Sequence, residues 1–114
     1  MAENPTCVIN LRPQAGKFPE ACTRLSQHFI SEIRENVAGI HHAYPFVVSG
    51  KEEIIVIEQF VSSKAMFAYF NSEYHAALVK SLLPFAQEPI EIKSSANLSE
   101  LQKWKDNTPG EFTV

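Results

Sequence analysis

The side chains best suited to chemistry are one carboxylate in an apolar run, four histidines and three tyrosines. Glu58 lies within Ile54-Ile55-Val56-Ile57-Glu58-Gln59-Phe60. Buried there without a partner, it would have a raised pKa and act as a general base near neutral pH. Paired with a Lys or Arg of a helix or a second subunit, or with backbone donors, it would be structural instead. His41 and His42 are adjacent in an extended run, so they point to opposite faces and cannot hold one metal together. Each is either a base or a surface or interface histidine. Tyr69, Tyr74 and His75 flank a break between two short helical stretches, where a pocket mouth can form. A tyrosine there can bond a substrate oxygen, or pack on a sheet with its hydroxyl in water. His28 and Glu32 are spaced i, i+4, but two ligands make a weak metal site, and the pair reads as a solvated helix face. The chain has no HExxH, no Gly-rich phosphate loop, no CxxC and no Ser or Cys in a nucleophile context. The chemistry these types support is proton transfer.

The elements that position them follow from periodicity. Thr6 to Arg12 reads as a strand with Val8, Asn10 and Arg12 on one face. After a turn at residues 14–17, Phe18, Ala21, Cys22, Leu25, Phe29, Ile33 and Val37 recur at three- and four-residue spacing. That spacing predicts one amphipathic helix of about five turns, closed at Gly39. Ile40 to Val48 reads as a strand, and Pro45 inside it implies a sheet edge or a bulge. A turn at Ser49-Gly50-Lys51 leads to the strongest strand, Glu53 to Val61, with Val56, Glu58 and Phe60 on one face. Ser62-Ser63 and Asn71-Ser72 read as N-caps of two short helices. Pro89 to Ser95 is the last strand, and residues 97–114 form a tail with a short helix around Leu98, Leu101 and Trp104. The order βαββαβ folds into a ferredoxin-like α+β plan, a four-stranded antiparallel sheet with both helices on one face.

The 114 residues imply one domain, 1–114, with a core of about 6–95 and a tail 96–114. Hydrophobic residues are 45% and charged residues 20%, a composition that excludes intrinsic disorder. The net charge of -3 and the lack of any Lys/Arg cluster argue against nucleic acid or an anionic membrane as partner. No signal peptide is legible in the first residues, and Cys7 and Cys22 make no disulfide framework, although a bond between the two stays open. Both observations favour a reducing, cytoplasmic setting. The third strand is apolar on both faces: Ile54, Val56 and Phe60 on one, Ile55 and Ile57 on the other. Two helices cover only one face, so a homodimer through the sheet face is expected; the alternative is that the tail folds over it, and the tail could also reach across to the partner.

Three stretches resemble the antibiotic biosynthesis monooxygenase domain family, whose members are dimeric α+β barrels. Glu35-Asn36-Val37-Ala38-Gly39 before His41 is similar to the family's Glu-x-Gly turn, though longer. Ile54 to Phe60 is similar to its apolar strand ending Glu-x-Trp. Ser62-Ser63-Lys64-Ala65 through Asn71-Ser72-Glu73-Tyr74 is similar to its helix pair. Within the family the likeness is greatest to cofactor-independent quinol monooxygenases. Phe60 stands where the family usually has Trp, and Tyr69 where it often has His. Val79 takes the place of the ligand in haem-degrading relatives, which disfavours haem chemistry.

The resemblance implies oxidation of a quinol or polyphenol by dioxygen with no cofactor and no metal. The protein then supplies an apolar pocket, a base and donors for the developing oxyanion. It implies His41, Tyr69 and Glu58 as catalytic residues, with Asn10, Tyr44, Phe46, Phe60, Tyr74 and His75 binding substrate. Two alternatives stand beside it: an isomerase of a small signalling metabolite, and a non-catalytic ligand-binding or stress-related dimer.

Overall fold

A computed structural model describes residues 4–34, 36–48, 50–95 and 98–113. Met1–Glu3, Glu35 of the turn motif, Ser49 of the β-turn and the Leu98 side chain lie outside the described residues. The elements are β1 (Thr6–Leu11), α1 (Phe18–Gln27) running into a π-helical turn (His28–Glu32), β2 (Ile40–Val47), β3 (Ile54–Phe60), α2 (Ser63–Phe70), α3 (Glu73–Leu82), a 3-10 turn (Leu83–Phe85), β4 (Ile90–Ser94), α4 (Leu98–Asp106) and β5 (Phe112–Thr113).

The ferredoxin-like α+β core is present, but the sheet is five-stranded and mixed rather than four-stranded and antiparallel. Its order is β2-β3-β1-β4-β5, and β5 lies parallel to β4. The tail supplies the extra strand because Phe112 has an apolar side to bury beside Ile90. Period-two alternation sets the layers. Cys7 and Leu11 of β1, alternate residues Ile54 to Phe60 of β3, and Ile90 and Ile92 of β4 are buried under the helices. Pro45 sits in the edge strand β2, where its missing N–H harms no ladder, and the strand is irregular between Ile40 and His42.

The long first helix is interrupted. Its α-helical part ends at Gln27, and the Ile33 N–H then donates to the His28 carbonyl at 3.0 Å, an i→i+5 bond. A π turn admits one more residue per turn and shifts the inward stripe. Ala21, Leu25 and His28 are buried, while Phe29 is left half-buried at the margin. The caps form as the spacing predicts: Ser62 Oγ accepts from the Ala65 N–H at 3.1 Å, and Ser72 Oγ from the His75 N–H at 3.3 Å. Gly39 has φ +87°, and a Cβ there would meet the Ala65 Cβ at 2.7 Å. That position therefore sets how closely α2 can approach the start of β2.

The tail does not cover the second sheet face. Leu101, Trp104 and Phe112 are buried on the helix side of the chain's own core, and the Trp104 indole N–H donates to the Phe70 carbonyl at 3.1 Å. Across the sheet, Ile55 and Ile57 are half-buried, and Tyr44 and Phe46 are 44% and 48% exposed. Their rings meet edge to face at 5.4 Å. Both cysteines are free thiols, Cys7 buried in β1 and Cys22 half-buried on α1. Among the described residues no helix is long and apolar enough to cross a membrane.

Candidate active site

Between α1, α2 and the sheet a row of polar side chains runs from the surface into the core. Arg24 begins it. Its Nη1 and Nη2 donate to the two Glu32 oxygens at 2.9 and 3.2 Å, and its Nε to Ser81 Oγ at 2.7 Å, which ties α1 to α3. Glu32 Oε1 lies 3.0 Å from His28 Nδ1, and His28 Nε2 lies 2.6 Å from the Tyr69 hydroxyl. The π turn makes this possible, because it turns His28 inward while Glu32, one turn on, stays within reach. A carboxylate only accepts, so His28 carries its proton on Nδ1, and Nε2 accepts from Tyr69.

Glu58 lies beyond Tyr69. Its carboxyl is fully buried, and neither oxygen has a partner in hydrogen-bonding geometry. Burial pushes its pKa up to about 8, while the nearby Tyr69 hydroxyl pulls in the opposite direction. At neutral pH it is mostly the neutral acid. The Tyr69 phenol is raised well above its ordinary value, by burial first and then by Glu58. Glu32 behaves oppositely. Its partial burial favours the neutral form, but the Arg24 and His28 bonds outweigh this and hold it below the usual carboxylate range. Burial lowers the His28 pKa, and Glu32 opposes the drop.

An aromatic wall closes the inner end. Phe60 lies 5.7 Å from Tyr69, His75 meets Tyr69 at 4.9 Å, and Phe70 stacks on His75 at 4.7 Å with planes 13° apart. His75 Nδ1 has no partner, and burial, with the nearby His28 imidazole acting in the same direction, lowers its pKa to about 3. His75 is therefore a neutral packing group. It also edges an apolar void of about 30 Å³ shared with Phe29, Val56 and Phe112. Phe29 also lines an open cleft of about 570 Å³ between the π turn and β2. The cleft floor includes Ala43, the cross-strand neighbour of Glu58, and its rim carries Tyr44, His41 and His42.

Of the expected site residues, the structure brings Glu58, Tyr69, Phe60 and His75 together. It does not bring the others to them. Asn10 pairs with Ile55 and so faces the opposite side of the sheet from Glu58. The β1–β3 register decides this, because parity within either strand alone leaves it open. Phe46 also pairs with Ile55 and lies on that far face. Tyr44 pairs with Ile57 there but reaches the cleft rim. His41 is exposed at the cleft, with Nε2 3.0 Å from Asn4 Oδ1, away from Glu58. Tyr74 is half-buried at the core margin.

Sequence reasoning missed His28, Glu32 and Arg24 as site residues. The available signal was their four-residue step beside Ala21 and Leu25, which places the three next to the apolar stripe of one helix. Among the described residues no group of three or more His, Cys, Asp and Glu is placed to hold a metal ion.

The sequence profile described as antibiotic biosynthesis monooxygenase matches residues 6–81. No curated protein matches the chain. Similar solved structures include a conserved protein from Methanosarcina mazei, with TM-score 0.74 and 10% identity over 83% of this chain and 93% of that one. A candidate antibiotic biosynthesis monooxygenase from Caulobacter crescentus has TM-score 0.74 and 17% identity over 81% and 87%. One from Nitrosomonas europaea has TM-score 0.72 and 12% identity over 82% and 98%. Identities this low show a common fold and nothing finer. With the profile covering well over half of its residues, the chain belongs to the antibiotic biosynthesis monooxygenase family.

Proposed function

We propose that the protein is a cofactor-independent monooxygenase that oxidises a quinol or polyphenol with dioxygen. The observation that carries this reading is Glu58, a buried, unpartnered carboxyl beside Tyr69 and one strand behind the floor of a cleft. The cleft volume of about 570 Å³ suits a small aromatic ligand. A bound ring displaces Phe29 and reaches Glu58 and Tyr69. Glu58, once ionised, takes a proton from the ring hydroxyl, and the electron-rich anion reduces dioxygen. The quinol gains one oxygen atom and loses two hydrogens, which leave with the second oxygen as water. Tyr69 bonds the substrate oxygen, and Phe60 and His75 form the inner wall. His41, at the cleft rim, is the second proton acceptor. Asn10 and Phe46, on the far face, have no part in this pocket.

The chain acts as a single domain in a reducing, cytoplasmic setting. It works as a homodimer through the sheet face bearing Tyr44, Phe46, Ile55 and Ile57, which its own tail leaves uncovered. The test is oxygen uptake with a panel of hydroquinones under chelation. Uptake above autoxidation, lost in Glu58→Gln, supports the reading, and no uptake above autoxidation refutes it. One observation favours the non-catalytic, ligand-binding alternative: Glu58 is wholly buried and is not among the residues lining the cleft. Tight binding of a quinol by calorimetry with no turnover would select that alternative.

A further inference from the structure

We infer that Tyr69, His28 and Glu32 form a proton relay that connects the buried Glu58 carboxyl to solvent. The inference rests on Glu58 being the proton acceptor of the proposed function, and it adds a route for that proton and assigns roles to His28 and Glu32. Three observations carry it. The links Tyr69–His28 and His28–Glu32 are formed, at 2.6 and 3.0 Å. His28 is wholly buried and both its ring nitrogens are engaged, so the row passes through it unbroken. The row ends at Glu32, whose side chain is 33% exposed, whereas Glu58 has no exposure.

The polarity of the bonds allows passage in either direction. For release, the Glu58 O–H bond breaks as a new Tyr69 O–H bond forms. The hydroxyl proton that Tyr69 held passes to His28 Nε2. His28 gives its Nδ1 proton to Glu32, and Glu32 gives one to water. The net change is one proton moved from Glu58 to solvent. Tyr69 is left with its hydroxyl reversed and His28 as the Nε2–H tautomer, and uptake of a proton through Glu32 restores both. The link still to close is Glu58 to Tyr69, which are neighbours without a formed hydrogen bond. The groups facing the row are Arg24 and Glu32 on the first helix, His75 on α3, and Cys7 and Glu58 on the sheet. The Arg24 hydrogen bonds favour the carboxylate form of Glu32, which leaves the outer end able to accept a proton. Arg24 and Glu32 are positioning residues here, since neither touches substrate.

The test needs no substrate, so its failure is separate from a failure to find turnover. The carboxylic acid stretch of Glu58, identified by its loss in Glu58→Gln at about pH 6, is followed by infrared spectroscopy after transfer to deuterated water. The wild type is expected to exchange at least about tenfold faster than Tyr69→Phe or Glu32→Gln, with amide protection along β3 unchanged. Nitrogen-15 NMR of His28 is expected to show the Nδ1–H tautomer. The relay is overturned by wild-type exchange rates in both variants, by exchange no faster than that of the β3 amides, by an Nε2–H resting tautomer, or by the absence of a Glu58 acid band. If one variant does not fold, the other decides.

Discussion

Replacing Glu58 with Gln isolates the energetic consequence of burying an unpartnered carboxyl. In the folded chain Glu58 titrates at about 8, against an ordinary value of 4.5. A raised carboxyl pKa means that the folded state binds more protons than the unfolded state between those two values. Stability therefore falls as pH rises through that window, by about 1.4 kcal/mol per pH unit. His75 works in the other direction. Its folded value of about 3 lies below its ordinary 6.5, so its contribution grows as pH rises to 6.5 and is then constant. Between about pH 4.5 and 6.5 the two slopes nearly cancel. Above 6.5 the Glu58 slope stands alone, and the wild type is expected to lose about 2 kcal/mol between pH 6.5 and 8. An amide cannot ionise, so Glu58→Gln should hold its stability across that interval. The two proteins should be similar near pH 5, where Glu58 is the neutral acid. Urea denaturation at fixed pH steps measures the difference as a shift in midpoint at constant slope. Parallel pH profiles for wild type and Glu58→Gln above pH 6.5, or a wild type that gains stability there, would refute the assignment of a buried, unpaired carboxyl.

Three further outcomes are expected. Gly39→Ala combines a strained φ of +87° with a 2.7 Å approach to Ala65, and thermal unfolding should show a loss of about 1–3 kcal/mol. Unchanged melting would mean that α2 and the β2 entrance are not held together there. Trp104→Ala removes the ring that packs on Phe70 and Phe112 and bonds the Phe70 carbonyl, and should cost about 3–5 kcal/mol and deprotect α4 in hydrogen exchange. Phe46→Lys places a charge on the uncovered sheet face, and sedimentation should show the wild type as a dimer and the variant as a monomer at micromolar concentration. A monomeric wild type would sink the dimer.

Much of the scaffold is legible along the chain because it depends on local terms. Strand alternation puts Glu58 and Phe60 on one face, Ser62 and Ser72 cap their helices, and Pro45 marks an edge strand. The resemblance to the family rests on these same elements. The site depends on terms that act between elements. Asn10 and Glu58 have the same strand character, and only the pairing of Asn10 with Ile55 separates their faces.

His28 and Glu32 show the limit most clearly. On an ideal α-helix the stripe through Leu25 continues to Phe29, and an i, i+4 His–Glu pair stays in water. In the folded chain the π turn brings His28 inward, where Tyr69 from a distant helix supplies the second bond. That bond compensates both the poorer backbone geometry of the turn and the desolvation of the imidazole, and neither partner can signal it along the sequence. The apolar alternation, the caps and the isolated carboxylate were present in the order of residues. The proton-linked row and the destination of the tail arose only when surfaces far apart in the chain were packed together, because burial gives a polar group its energy and its partners.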